Sequence, residues 1–348
     1  MSIVMTGGGT GGHLAIIEAV KEALVNEVLN TLSKSDNELI YIGSKKGQDR
    51  QWFENDEAWS KTYFLETQGV VDQQGMGKLK SLWMMFRAML KARRLLKRHK
   101  AKVVFSVGGF SSAATAFAAK SMGIPLVIHE QNAALGSLNK LLRPYAAAFI
   151  SSYLEESPIK AYPVKELFFD NARVRKEVKS IIFLGGSQGA KAINQLALEI
   201  APKLKERDIR IIHQAGEKNI DAVQKAYNDL GIEAEVFGFT THLAAYMKKA
   251  DFAIARAGAS TLWELSATAL PTLFIPYPYA ASDHQYYNAR FLVEKDLASI
   301  MREEEVDTQK VLALLDKDLE AKSRGLMEIV EKEGSEQIAD LLINYAKN

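Results

Sequence analysis

Along this chain, short unbroken apolar runs alternate with stretches whose apolar residues recur three and four positions apart. Residues 2–6 read as a strand, 14–32 as a helix and 38–42 as a second strand. The spacing then predicts a helix over 79–100, a strand over 103–107, a helix over 111–122, a strand over 125–129 and a helix over 135–142. The second half repeats the scheme, with strands at 180–184, 209–214, 234–237, 252–255 and 272–275. Helices are expected there over 190–206, 220–230, 240–249, 261–269 and 285–295. Continuous apolar runs suit strands covered on both faces, and their alternation with helices predicts parallel sheets joined by crossover helices. Pro158 and Pro163 interrupt regular structure, so a domain boundary is expected within 155–168. The tail from 316 to 348 is helical and charged.

Composition narrows the picture. The 348 residues are 47% hydrophobic and 25% charged, as in a soluble globular protein with room for two domains. The absence of cysteine excludes disulfides, thiolate zinc, iron–sulfur clusters and cysteine nucleophiles, and suits a reducing compartment. No secretory signal or membrane-spanning run is expected, so any membrane contact is peripheral. Residues 1–160 hold 20 Lys and Arg against 14 Asp and Glu, while 161–348 hold 24 against 28. Between Asp72 and Glu130 there is no acid, but eleven lysines and arginines, from Lys78 to Lys120. Such a block points to an anionic partner, either phospholipid headgroups or nucleic acid.

Two glycine-rich turns occupy corresponding places, each after the first strand of a half and before a helix: Gly7-Gly8-Gly9-Thr10-Gly11-Gly12-His13 and Gly185-Gly186-Ser187-Gln188-Gly189-Ala190. Glycines let backbone approach a phosphate, and the following helix N-terminus offers free N–H groups. Gly7, Gly9 and Gly12 fit a dinucleotide fingerprint, but the second strand ends in Ser44-Lys45-Lys46 without the ribose-binding acid. An NADP oxidoreductase therefore stays open, as does a non-enzymatic nucleotide-sugar or nucleic-acid binder. His13, at a helix start, is disfavoured as a cation and is a candidate proton acceptor. Gly258-Ala259-Ser260-Thr261 forms another phosphate-sized cradle, with Glu264 one helical turn beyond and suited to a ribose diol. Asp283-His284-Gln285 starts a further helix whose polar side chains can read sugar hydroxyls. Gly108-Gly109-Phe110 and His129-Glu130-Gln131-Asn132 follow two strands of the first half. The sole D-x-D, Asp316-Lys317-Asp318, reads as solvated surface, and no metal site is expected.

Together these motifs resemble the MurG glycosyltransferases, which add N-acetylglucosamine to lipid I to make lipid II. The resemblance spans nearly the whole chain. It implies an α/β fold of two Rossmann-like, doubly wound domains facing across a cleft, the GT-B arrangement. The expected divisions are 1–160 for the acceptor and membrane side, 161–330 for UDP-GlcNAc, and a 331–348 helix packing back on the first domain. It implies an inverting transfer to the 4-hydroxyl of MurNAc, with His13 as catalytic base and no cofactor. The implied donor contacts are Thr10, Gly11, Gly12 and Asn132 from the first domain, and Lys165 from the linker. From the second domain they are Ser187, Thr240, Arg256, Ala259, Ser260, Thr261, Leu262, Trp263, Glu264, His284 and Gln285. Departures are present: no proline follows His13 closely, and Lys165 stands where the family has arginine, losing a bidentate fork. A lipid-linked acceptor needs a bilayer surface, and Leu79, Leu82, Trp83 and Phe86 with Lys78 and Arg87 are expected to supply it. Implied partners are UDP-GlcNAc, lipid I, anionic inner-membrane phospholipids and cell-wall synthesis proteins, with no nucleic acid. The implied location is the cytoplasmic face of the bacterial inner membrane.

Overall fold

The computed structural model describes residues 2–31, 38–67, 76–186 and 188–347, with backbone alone for 28–31 and 76–80. The chain divides into two compact units, Met1–Lys165 with Glu333–Asn348, and Glu166–Lys332. The first unit runs β1 (Ser2–Thr6), α1 (Gly11–Thr31), β2 (Glu38–Ser44), α2 (Asp49–Phe53), β3 (Lys61–Leu65) and α3 (Met76–Arg98). It continues with β4 (Val103–Ser106), α4 (Ala113–Met122), β5 (Leu126–His129), α5 (Ser137–Leu142) and β6 (Ala148–Ile150). The second contains α6 (Glu166–Asp170), β7 (Ser180–Leu184), α7 (Lys191–Glu206), β8 (Arg210–Gln214), α8 (Ile220–Asp229), β9 (Ala234–Phe237) and α9 (Leu243–Lys249). It then has β10 (Phe252–Ala255), α10 (Ala259–Ala267), β11 (Thr272–Phe274), α11 (His284–Glu294), β12 (Ser299–Ile300), α12 (Thr308–Leu314) and α13 (Leu319–Ile329). The last helix, α14 (Gly334–Lys347), belongs to the first unit.

Each unit holds a parallel six-stranded sheet, ordered β3-β2-β1-β4-β5-β6 and β12-β11-β10-β7-β8-β9. The central strands are buried along their whole length, as in Ile3, Val4 and Met5 or Ile181, Ile182 and Phe183, so their sequences are unbroken apolar runs. Strand order reverses between β1 and β4, and again between β7 and β10. Ligands of open α/β sheets gather at such reversal points, beyond the carboxyl ends of the strands.

Three strands escape the sequence pattern: β3, β6 and β12. All lie at sheet edges, where a strand is short or half solvated and loses its apolar signature. The tail is two helices with different allegiances. Asp318 caps α13, accepting from the Ala321 amide at 3.0 Å. α14 packs on α1, with Ser335 Oγ donating to the Val164 carbonyl (3.3 Å) and Tyr345 to the Ala147 carbonyl (2.9 Å). Residues 161–165 travel with the first unit as well, because Tyr162 stands edge-on to His129 and Lys165 pairs with α1.

Candidate active site

In the first unit the turn between β1 and α1 is shaped by its neighbours. Gly9 has φ +86°, and a Cβ there would lie 2.5 Å from Phe110 Cε1, so no other residue fits. His13 falls in the first turn of α1. Its Nδ1 lies 2.9 Å from Thr10 Oγ1, and the Gln131 amide donates to its Nε2 at 3.1 Å. The ring is thus oriented from its own helix and from the segment after β5. Glu130 folds that segment: its oxygens accept from the Asn132 amide (3.0 Å), the Gly136 amide (2.9 Å) and Asn139 Nδ2 (3.0 Å). The buried carboxylate therefore sets where Asn132 sits. His129, the last residue of β5, is fully buried beside Tyr162, with ring centroids 5.5 Å apart. Burial, and then the charge of His13, hold its pKa down to about 3, so it is a neutral imidazole.

Asp49, at the start of α2, carries no signal in the sequence beyond helix-dipole complementarity. In the structure it is fully buried and accepts from the Gly9 amide at 2.8 Å. The acid missing from the end of β2 is thus five residues further on, bound to backbone rather than offered to a ribose. Lys45 is also occupied, pairing with Glu66 at 2.8 Å.

The second unit repeats the geometry with a different outcome. Gly189 (φ +77°) rests on the chain just past β8, where a Cβ would meet the Ala215 carbonyl at 2.3 Å. A buried network pins that carbonyl: Tyr227 donates to His213 Nδ1 (2.9 Å), His213 Nε2 donates to Asn194 Oδ1 (3.0 Å), and Asn194 Nδ2 donates to Ala215 O (3.1 Å). Burial lowers the His213 pKa to about 4, which keeps the ring neutral as this network requires. Gly186 and Gly258, by contrast, look onto open space, with nothing within 4 Å of an added Cβ. Gly258 precedes α10 in an extended conformation and contributes no side-chain cap to the first-turn amides of that helix. Ala259 and Ser260 are buried, Thr261 and Glu264 partly so. These two turns flank the reversal between β7 and β10.

Other expected donor residues lie beyond the carboxyl ends of the same sheet. Thr240 follows β9, its hydroxyl accepting from the His242 amide at 3.0 Å. His284 and Gln285 begin α11 after Ser282 and Asp283, two consecutive left-handed residues (φ +53° and +51°). Each such residue costs about 1–3 kcal/mol. The Asp283–Arg302 ion pair at 2.6 Å holds them, with Arg302 stacked over Tyr286. His284 Nδ1 donates to the Ala281 carbonyl (2.8 Å), and Gln285 Oε1 accepts from the Tyr277 amide (2.9 Å).

Several expected contacts are engaged within the scaffold. Leu262 is wholly buried and Trp263 stacks on Phe291 at 5.2 Å, so neither side chain is presented to a donor. Arg256 donates to the Ile275 and Pro276 carbonyls (both 3.0 Å) and pairs with Glu303, bracing the end of β11. Lys165 pairs with Glu22 (2.6 Å) and Glu18 (3.3 Å) of α1. Burial lowers its pKa, but the bond to Glu22 and both carboxylate charges outweigh this and leave it raised. Ser187 lies outside the described residues, as do the side chains of Lys78 and Leu79.

α3 has two apolar faces. Ala88, Ala92, Leu95 and Leu96 pack into the core with Met85 and Met89 beside them. Leu82, Trp83, Phe86 and Leu90 form a separate stripe, exposed by 48, 60, 48 and 38%, with Trp83 stacked on Phe86. Arg87, Lys91 and Arg94 are exposed next to it. Among the described residues no helix is long and apolar enough to cross a membrane.

Residues 3–151 match the glycosyltransferase family 28 N-terminal domain and residues 180–342 the family 28 C-terminal domain. The chain is 81% identical, over all 348 residues of both proteins, to the UDP-N-acetylglucosamine–N-acetylmuramyl-(pentapeptide) pyrophosphoryl-undecaprenol N-acetylglucosamine transferase of Sulfurovum sp. (strain NBC37-1). It is 52% identical to the protein of that name from Sulfurimonas denitrificans, over 99% of each chain. Among solved structures, MurG of Acinetobacter baumannii superposes with a TM-score of 0.76 at 24% identity, covering 99% of both chains.

Proposed function

This chain belongs to the MurG glycosyltransferases of family 28, and on that premise we propose how its residues divide the work of the reaction. The reaction moves N-acetylglucosamine from UDP-GlcNAc to lipid I, giving lipid II. The second unit holds the donor. What supports this most is the pair of open turns at the β7–β10 reversal, where Gly186 and Gly258 leave space and neither turn contains an acid. A diphosphate there meets the amides of Ala259, Ser260 and Thr261 and the positive end of the α10 dipole, with Ser187 adding a hydroxyl. Glu264 accepts hydrogen bonds from the ribose diol, and backbone at Thr240 reads the uracil. With Nδ1 of His284 bound to Ala281, its Nε2 serves the sugar; with Oε1 of Gln285 bound to Tyr277, its amide group donates to a sugar hydroxyl.

The first unit supplies the acceptor surface and the base, and its Thr10, Gly11, Gly12 and Asn132 are donor contacts in this reading. His13 accepts the proton of the MurNAc 4-hydroxyl as that oxygen bonds to the anomeric carbon. Thr10 keeps its place on Nδ1, and the hydroxyl replaces the Gln131 amide at Nε2. The bond from the anomeric carbon to phosphate breaks on the opposite face, inverting the centre, and UDP leaves with the electron pair. The α10 amides stabilise the charge it carries away. The D-x-D motif has other duties, since Asp318 caps α13 and Asp316 pairs with Arg207 at 3.1 Å.

The exposed stripe of α3 rests on the cytoplasmic face of the inner membrane. Its basic neighbours add about 1 kcal/mol each near anionic phospholipid. Incubation of the protein with radiolabelled UDP-GlcNAc and a lipid I analogue tests the reading as a whole. Label is expected in the lipid fraction, and folded protein that leaves the lipid unlabelled overturns it.

A further inference from the structure

We propose that Asp49 is a positioning residue for His13, acting through the glycine turn between β1 and α1; this rests on the assignment of His13 as base. The Asp49 carboxylate is wholly buried, and the bonds described for it join β2 to that turn. Oδ2 accepts from the Gly9 amide at 2.8 Å. Oδ1 accepts from the Ser44 amide at 2.9 Å, at the end of β2, and lies 3.0 Å from the Tyr41 hydroxyl. That hydroxyl is 2.7 Å from the Gly7 carbonyl, so one O–H spans the carboxylate and the first residue of the turn. Burial, and then the charge of Asp49, raise the Tyr41 pKa well above 10, so it stays a donor. The turn closes tightly on the carboxylate, since a Cβ at Gly8 would lie 2.7 Å from Asp49 Oδ1.

One residue beyond the clamped Gly9 comes Thr10, whose hydroxyl meets His13 Nδ1. Asp49 therefore fixes the segment from which the base is oriented. A buried carboxylate is costly unless its oxygens are bonded, and here they are bonded to backbone that carries the catalytic geometry. The same contact separates the two glycine turns chemically. An amide of the first turn is taken by an internal carboxylate, while none is bound at the second turn among the described residues.

Asparagine cannot reproduce the clamp. It has one acceptor oxygen, so whichever way the amide turns, an N–H faces the Gly9 or the Ser44 amide. Asp49→Asn is therefore expected to lower kcat about 10- to 100-fold while the KM for UDP-GlcNAc stays within about twofold. In a His13→Ala background the same substitution should cost nothing further, because the group being positioned is gone. If His13→Ala is slow and Asp49→Asn slows it again by the same factor, the proposal is overturned although the base assignment stands. If His13→Ala turns over normally, the base assignment falls and takes the proposal with it. Should Asp49→Asn fail to fold, Tyr41→Phe removes only the hydroxyl bridge. A loss of about threefold or more in kcat, absent in the His13→Ala background, is expected, and an equal loss in both backgrounds overturns the proposal.

Discussion

Three histidines show how surroundings assign roles at the residue scale. His213 is closed into a network that satisfies both nitrogens, and His129 is sealed in the core; only His13 is part exposed and flanked by groups a substrate can displace. His13→Ala should lower kcat by about 10²- to 10⁴-fold, the usual worth of a positioned base, with UDP-GlcNAc affinity unchanged by calorimetry. A variant that turns over normally removes His13 as base. Glu264→Ala acts on the other substrate: losing a charge-assisted bond to ribose, worth about 1.5–3 kcal/mol, should weaken donor binding about 10- to 100-fold. An unaltered dissociation constant removes the ribose assignment. Placement beside the glycine turns made His13 and Glu264 candidates, and the family resemblance added Leu262, Trp263 and Arg256. Leu262 and Trp263 follow from helical phase, since they face inward where Thr261 and Glu264 face out. For Arg256 no local pattern distinguishes a guanidinium that grips carbonyls from one that grips phosphate. Asp49 was illegible for the same reason: no local pattern shows that its carboxylate binds the Gly9 amide, 40 residues away, as well as β2.

Helices and turns were more legible than side-chain partners, because period and glycine placement are local properties. Both glycine turns, the α10 cradle and the start of α11 stand where the pattern put them. α3 was legible only in part. Its sequence is apolar almost all round near Trp83, and only packing sorts Met85 and Met89 to the core and Leu82, Trp83, Phe86 and Leu90 to the outside. Fully burying such side chains is worth about 1.5–3 kcal/mol each, and an interface that covers part of two of them recovers a fraction of that. Trp83→Ser with Phe86→Ser should therefore cut binding to liposomes containing anionic lipid by about 10- to 100-fold at fixed salt. Thermal stability should hardly change, because neither residue is in the core. Binding equal to that of the parent protein would place the lipid contact elsewhere.

For the molecule as a whole, the doubled βα pattern carried the parallel sheets and the two-unit plan, because central strands declare themselves by unbroken apolar runs. The chain re-enters the first unit at Glu333, close to the 331 that the family resemblance implied, whereas local pattern alone does not part α13 from α14, which look alike in sequence and differ in what they pack against. The two units also share a sensitivity to acid that composition does not reveal. Each buries one neutral histidine, His129 with a pKa near 3 and His213 with one near 4, against an ordinary value of 6.5. Between those values the unfolded chain binds a proton that the folded unit does not, so stability is complete above about pH 6.5 and falls as pH drops toward the folded values. The loss is about 1.4 kcal/mol per pH unit for each histidine, or about 2 kcal/mol per unit of structure between pH 6.5 and pH 5. For domains of this size that lowers the melting temperature by about 4–8 °C. His213→Asn should flatten the dependence of the second unit while leaving that of the first, and His129→Asn should do the reverse. Melting curves that do not move between pH 8 and pH 5 would mean that neither imidazole is held neutral by its burial.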